Sequence, residues 1–198
     1  MTRRRLALAT TNRHKAGEIA AILKPWGIAV EVPESLPHVE ETGDTFAENA
    51  ALKARSAARH LGLPALADDS GLVVEVLGGE PGVHSARYSG PGADAASNNA
   101  QLVQRLQALG IEDPRAAFVC HTVVAAPDGR ILAQAEGRVE GKIRWPATGA
   151  GGFGYDPLFH HPPSDRRMSE LTPKEKNAIS HRGRALTLLA KKLNDLPE

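Results

Sequence analysis

The run Leu66–Leu72, L-A-D-D-S-G-L, constrains this chain more than any other stretch, because two adjacent carboxylates interrupt a segment otherwise apolar enough for a buried strand. An ionised side chain taken out of water costs several kcal/mol unless it is paired or bound to a cation. Asp68 and Asp69 therefore read either as a metal or catalytic pair or, with Ser70-Gly71 behind them, as a solvated turn.

A second acidic stretch lies upstream. His38–Asn49, H-V-E-E-T-G-D-T-F-A-E-N, places Glu40 and Glu41 just before a helix start, where Thr45-x-x-Glu48 is a capping box. Phe46, Ala50, Ala54, Ala57 and Leu61 recur at helical spacing, and Gly62 before Pro64 closes the helix near His60. Asn49 and Lys53 share one of its faces. Hard oxygen ligands from two loops, without a Cys or His cluster, suit Mg²⁺, which takes one or two carboxylates and leaves its other positions to water and phosphate.

The N-terminal stretch offers a place for that phosphate. Leu6–Ala9 is a short strand candidate that runs into Thr10, Thr11, Asn12, Arg13, His14 and Lys15 and then a helix through Leu23, stopped by Pro25 and Gly27. A strand, a polar turn and a helix N-terminus present free backbone N–H groups and the positive dipole end to an anion. The same residues also fit an ordinary N-cap, with Thr11 or Asn12 satisfying the helix and Lys15 solvated.

Thr148–Pro157, T-G-A-G-G-F-G-Y-D-P, formally contains G-x-G-x-x-G, but Trp145-Pro146 before it and Asp156-Pro157 after it exclude the strand and helix a dinucleotide fingerprint needs. The glycines are read as letting backbone approach a flat ligand, with Phe153 and Tyr155 offered for stacking. The alternative is a surface loop with its aromatics in the core. Further on, Thr172-Pro173-Lys174-Glu175 is a capped helix start. Lys176, His181 and Arg182 then precede a helix with Leu186, Leu189, Ala190 and Leu193 on one apolar side. Basic residues at such a junction are otherwise simply solvated.

Taken together, these stretches resemble the inosine triphosphate pyrophosphatase family. The resemblance rests on T-T-N-R-H-K (Thr10–Lys15), E-E-T-G-D-T-F-A-E-N-A-A-L-K-A (Glu40–Ala54), L-A-D-D-S-G-L, G-G-E-P-G-V-H-S-A-R-Y-S-G (Gly78–Gly90), G-G-F-G-Y-D-P-L-F (Gly151–Phe159) and E-L-T-P-K-E-K-N-A-I-S-H-R-G (Glu170–Gly183). In order and at this spacing they cover nearly the whole chain. Thr11 departs from the glycine or serine of many members, and Arg13-His14 fills a variable part of the phosphate turn.

The resemblance implies an α/β fold with a mixed β-sheet, flanking helices and two lobes around a central nucleotide cleft, formed by residues 1–198 as one domain. It implies hydrolysis of ITP, dITP and XTP to the monophosphate and pyrophosphate, with Mg²⁺ as cofactor and a homodimer as assembly. Glu40 and Asp69 would hold the metal, and Asp69 would orient or deprotonate the attacking water. Thr10, Thr11, Asn12, Arg13, His14, Lys15, Lys53 and Ser70 would bind the phosphate end. Phe153, Gly154, Tyr155 and Asp156 would take the purine, with Lys176, His181 and Arg182 donating to its C6 keto oxygen, which adenine lacks. Asp68 is placed behind this set. A related pyrophosphatase with another base preference, or a non-catalytic nucleotide-binding protein, would share much of this pattern.

Composition agrees. The chain's 198 residues suffice for one domain or two small lobes with a real core. Lys plus Arg number 24 against 23 for Asp plus Glu, a balance that argues against a duplex nucleic-acid partner. Arg3-Arg4-Arg5 is read as a solvated start, and the apolar run Leu6–Ala9 is far too short for a signal-peptide core or membrane span, so a cytoplasmic location is expected. The lone Cys120 is read as a small hydrophobe in a strand and its neighbour His121 as structural. Further strand candidates are Ala29–Val32, Leu66, Leu72–Leu77, and Phe118–Ala125 with Ile131–Val139, the last two an antiparallel hairpin about Pro127-Asp128-Gly129. A helix is expected over Ala95–Leu109, with Leu102, Val103, Leu106 and Leu109 inward and Gly110 as stop.

Overall fold

In a computed structural model, which describes residues 4–196, the Asp68-Asp69 pair does not break its strand. The elements in chain order are β1 (Arg4–Leu8), α1 (Arg13–Leu23), β2 (Ile28–Glu31), α2 (Phe46–Leu61), β3 (Ala65–Val74), α3 (Ala95–Ala108), β4 (Arg115–Ala125), β5 (Ile131–Ile143), β6 (Phe159–His161), β7 (Arg166–Arg167), α4 (Pro173–Ile179) and α5 (His181–Asn194). The strands form one seven-stranded sheet in the order β2-β1-β3-β4-β5-β6-β7. β1 runs parallel to β2 and β3, whereas β5–β6 and β6–β7 are antiparallel. β4 and β5 are neighbours joined only by residues 126–130, too short for a crossover, so they form the expected antiparallel hairpin. The sheet is mixed and flanked by helices, as anticipated.

The described residues divide into two compact units. The first contains the chain up to Asp69, Cys120–Gly137 and the chain from Ser180 onward. Along β1, β3 and β4 its side chains alternate between two faces. Leu6, Leu8, Leu66 and Val124 pack with Ile19 and Leu23 of α1 and Leu186, Leu189, Ala190 and Leu193 of α5. Ala7, Ala65, Ala67 and Val123 pack instead with Ala50, Ala54, Ala57 and Ala58 of α2. The second unit, Ser70–Val119 with Arg138–Ile179, has its own core of Leu72, Val74, Leu102, Leu106, Phe118, Val139, Ile143, Leu158 and Phe159. Phe118 and Phe159 stack with ring centroids 4.4 Å apart.

Several boundaries differ from expectation, each for a physical reason. Leu66 and Leu72–Leu77 are not two strands: β3 is continuous through the acidic pair, and residues 75–77 form a 3₁₀ turn. Arg4 and Arg5 are the first residues of β1; Arg5 stays exposed, as expected of a solvated start, whereas Arg4 is half-buried. Arg4 donates to the Leu196 carbonyl and Arg5 pairs with Glu31, while Arg3 lies outside the described residues. Leu109 is exposed because α3 ends at Ala108, leaving Leu109 as the cap residue. The basic C-terminal residues do not precede a single helix. Lys176 lies inside α4, Ser180 caps α5 by accepting from Gly183 N, and His181 and Arg182 form the first turn of α5. No helix among the described residues is long and apolar enough to cross a membrane.

Candidate functional site

Because side chains alternate along a strand, Asp68 and Asp69 point to opposite faces of β3. Asp68 follows Leu66 onto the α1–α5 face. There its Oδ2 accepts from Arg182 Nη2 at 3.0 Å and Nε at 3.3 Å, with Lys15 Nζ at 3.3 Å. Arg182, 1 % exposed, also donates from Nη1 to Glu18 of α1. Burial alone would raise the Asp68 pKa. The charges of Lys15, Arg182 and Lys53 and the Arg182 hydrogen bond outweigh it and hold the carboxyl well below the ordinary range. The same environment pushes the buried Cys120 thiol, 3.9 Å from Asp68, up to about 12, through burial first and the neighbouring carboxylate second. Cys120 is an inert core residue.

Asp69 follows Ala67 onto the α2 face. Lys53 Nζ donates to Asp69 Oδ1 at 2.7 Å and to Glu41 Oε1 at 2.9 Å. Burial, assisted by Glu41, raises the Asp69 pKa in spite of the opposing pull of Lys53. Burial opposes the charge on Lys53, yet Asp69 and Glu41 raise its pKa and keep it protonated. The loop that delivers Glu41 is tied to α2 by Asn49, whose Oδ1 accepts from Gly43 N at 2.8 Å and whose Nδ2 donates to Gly43 O at 3.2 Å. A Cβ at Gly43 would sit 2.8 Å from Asn49 Oδ1, so only glycine permits this approach. Thr45 and Glu48 form the capping box read from the sequence. Glu40 is exposed, and Glu41 is the glutamate in the lysine bridge. Among the described residues no group of three or more His, Cys, Asp or Glu side chains is gathered to hold a metal ion alone.

At the N-terminal turn, Asn12 is the N-cap of α1. Its Oδ1 accepts from His14 N and Lys15 N, and Thr10 Oγ1 accepts from Asn12 N. Thr11, Arg13 and His14 are exposed. The turn thus satisfies three of its own N–H groups internally, and Lys15 reaches Asp68 instead of being simply solvated. Ser70 is half-buried in β3, directly after Asp69.

In the second unit, Asp156 organises the aromatic loop. Its Oδ2 accepts from Phe153 N at 2.8 Å and from Lys176 Nζ at 2.7 Å. Lys176 is 5 % exposed, with its ammonium 4.4 Å from the half-buried Phe153 ring centroid. Asn99 of α3 donates to the Gly154 carbonyl. Two expectations are corrected here. Tyr155 is not offered for stacking, because its ring lies in the core and its hydroxyl donates to the Ser85 carbonyl at 2.9 Å. The glycines do make room for close approach, but to this chain's own atoms. A Cβ at Gly149 would sit 2.8 Å from the Ser169 carbonyl carbon, and one at Gly152 2.9 Å from Asp156 Cγ.

The structure therefore brings Lys15, Asp68 and Arg182 together, and separately Lys53 and Asp69, all within the first unit; in the second it gathers Phe153, Asp156 and Lys176. Arg182 does not present a free guanidinium to a base, since Asp68 and Glu18 engage it. Glu41, singled out beside Glu40 in the sequence, had no role assigned to it, and Glu18 and Ser169 were not singled out. Of those two, Glu18 carried a usable sequence signal, three residues after Lys15 on one helix face.

A family model described as the Ham1 family matches residues 6–192. The chain is 50% identical over 188 residues to a dITP/XTP pyrophosphatase of Geobacter sulfurreducens, covering 93% of this chain and 94% of that one. It is 48% identical to the dITP/XTP pyrophosphatase of Geobacillus kaustophilus, covering 93% and 91%. Among solved structures it is similar to a HAM1 protein from Coxiella burnetii, with a TM-score of 0.88 and 41% identity over 98% of this chain and all of that one.

Proposed function

From the premise that this chain belongs to the Ham1 family, we propose that it hydrolyses dITP, XTP and ITP to the nucleoside monophosphate and pyrophosphate. The observation that carries this reading is Asp69, a carboxylate buried in a strand and held by one lysine shared with Glu41. Two carboxylate oxygens already converge on the Lys53 ammonium, so the donor set is of the hard-oxygen kind that fits Mg²⁺. The metal is assigned to Asp69 and the exposed Glu40, as the family resemblance implies, while Lys53 engages both Asp69 and Glu41. When bound, Mg²⁺ supplies neutralisation of the triphosphate oxygens.

Asp69 takes the proton of the water that attacks the α-phosphorus, and pyrophosphate leaves. Its raised pKa brings the carboxylate closer to the strength a general base needs near neutral pH. Lys53 and Lys15 bind phosphate oxygens, with the Thr10–His14 turn and Ser70 completing that end. Phe153 stacks on the purine and Lys176 donates to its C6 oxygen. Arg182 is read as a positioning residue that keeps Asp68 charged and in place. A homodimer, which draws on the family resemblance alone, and a cytoplasmic location, which draws on the short apolar run Leu6–Ala9, belong to the same reading. Pyrophosphate release across a panel of ITP, dITP, XTP, GTP, ATP and CTP tests the proposal: turnover is expected on the first three, and equal turnover on ATP would overturn the base assignment.

A further inference from the structure

The segment 146–152 is exposed throughout, yet it leads directly into Phe153. A loop of this composition loses much backbone entropy on ordering, glycine most of all, so something must hold it. One residue, Ser169, supplies three of the holding contacts. Ser169 is 3 % exposed and sits in the 3₁₀ turn Met168–Glu170. Its carbonyl accepts from Gly151 N at 3.0 Å, its N–H donates to the Asp156 carbonyl at 3.4 Å, and its hydroxyl donates to the Thr148 carbonyl. Next door, Thr148 Oγ1 donates to Glu170 Oε1 at 2.7 Å.

The loop's glycines fit the same clasp. A Cβ at Gly151 would lie 2.9 Å from the Ser169 carbonyl oxygen, and one at Gly149 2.9 Å from Ser169 Cβ. Gly151 is not in the left-handed region, so its requirement is for space. Ser169 thus meets the loop at its beginning, middle and end, and the end is Asp156, the residue that fixes Phe153 N and Lys176 Nζ.

We infer that Ser169 is a positioning residue for purine recognition: by clasping residues 148, 151 and 156 it holds Phe153 in the orientation that stacks on the base. This rests on the assignment of Phe153 to the purine. Losing the hydroxyl leaves the backbone bonds in place and removes one hydrogen bond, worth about three- to tenfold in an equilibrium constant.

The test uses the full chain and two variants, Ser169→Ala and Gly151→Ala, the second pressing on the same clasp from the loop side. Calorimetry with IMP and with inorganic tripolyphosphate separates base from phosphate binding, and steady-state kinetics on ITP gives KM and kcat. In both variants IMP affinity is expected to fall and KM for ITP to rise by about three- to tenfold, with kcat and tripolyphosphate affinity within about twofold of the parent. Unchanged IMP affinity in both, or equal weakening of IMP and tripolyphosphate, would overturn the inference. If one variant fails to fold, the other decides. A parent protein that binds no IMP counts instead against the purine assignment, and one that binds IMP but releases no pyrophosphate counts against the activity.

Discussion

Asp69 and Asp68 are neighbours with different tasks. Asp69→Asn keeps the shape and leaves Lys53 its bond to Glu41, but removes the carboxylate proposed as base and metal ligand. Turnover of dITP should fall at least about a hundredfold with an unchanged circular-dichroism melt; a folded variant retaining a tenth of the activity would refute the assignment. Arg182→Ala acts elsewhere. It strands the buried Asp68 carboxylate and Glu18 without their guanidinium, and removing one partner of a buried pair costs about 3–5 kcal/mol. Urea unfolding should show that loss, and a change below about 1 kcal/mol would mean that Lys15 alone compensates Asp68. Neither the partition of the two carboxylates nor the capture of Arg182 is written in D-D-S-G. Alternation along a strand predicts opposite faces only once the segment is known to be a strand.

At the level of elements, the antiparallel side of the sheet has an electrostatic tie outside the candidate site. Asp113, just before β4, receives hydrogen bonds from Arg144 and from Lys142 at the end of β5. The Arg144 hydrogen bond, then Lys142 and both charges, outweigh burial and hold Asp113 at about 2. A carboxylate depressed in the folded state stabilises fully above its ordinary value near 3.8 and loses that contribution as pH falls through about 2. The Tm difference between the parent and Asp113→Asn should therefore be constant above about pH 4 and shrink toward zero by about pH 2. A difference that grows on acidification would contradict the tie, and one abolished at neutral pH by moderate salt would show it to be screened. Helices were the more legible elements: the Thr45 and Asp94 capping boxes mark their starts locally. Strand ends were less so, because β1 gains Arg4 and Arg5 only through ladder pairing with Ile28 and Ala29 of β2, distant in sequence.

For the molecule as a whole, each unit has its own buried core, while residues 32–44 form neither helix nor strand. Hydrogen exchange should follow that division. Amides of β1, β3 and β4 are expected to exchange last and those of 32–44 first, except Gly43, whose N–H is held by Asn49. Asn49→Ala should release the Gly43 amide and weaken activity through the misplaced Glu41 loop; a Gly43 amide that exchanges as fast as its neighbours in the parent would remove Asn49 from that role.

The sequence by itself determined the starts of the helices up to α4, the alternating apolar faces, the α/β class and the membership of the pyrophosphatase family. Those features are set by residues close in the chain or by motifs in a fixed order. Tertiary structure alone decided that Asp68 is a buried counter-ion, that Glu41 shares Lys53 with Asp69, that Tyr155 is core, and that the glycines of residues 149–152 make room for Ser169 and Asp156. Each of these depends on which atoms from remote segments arrive within hydrogen-bond distance, and burial, which gives such contacts their energy, exists only after the chain has packed.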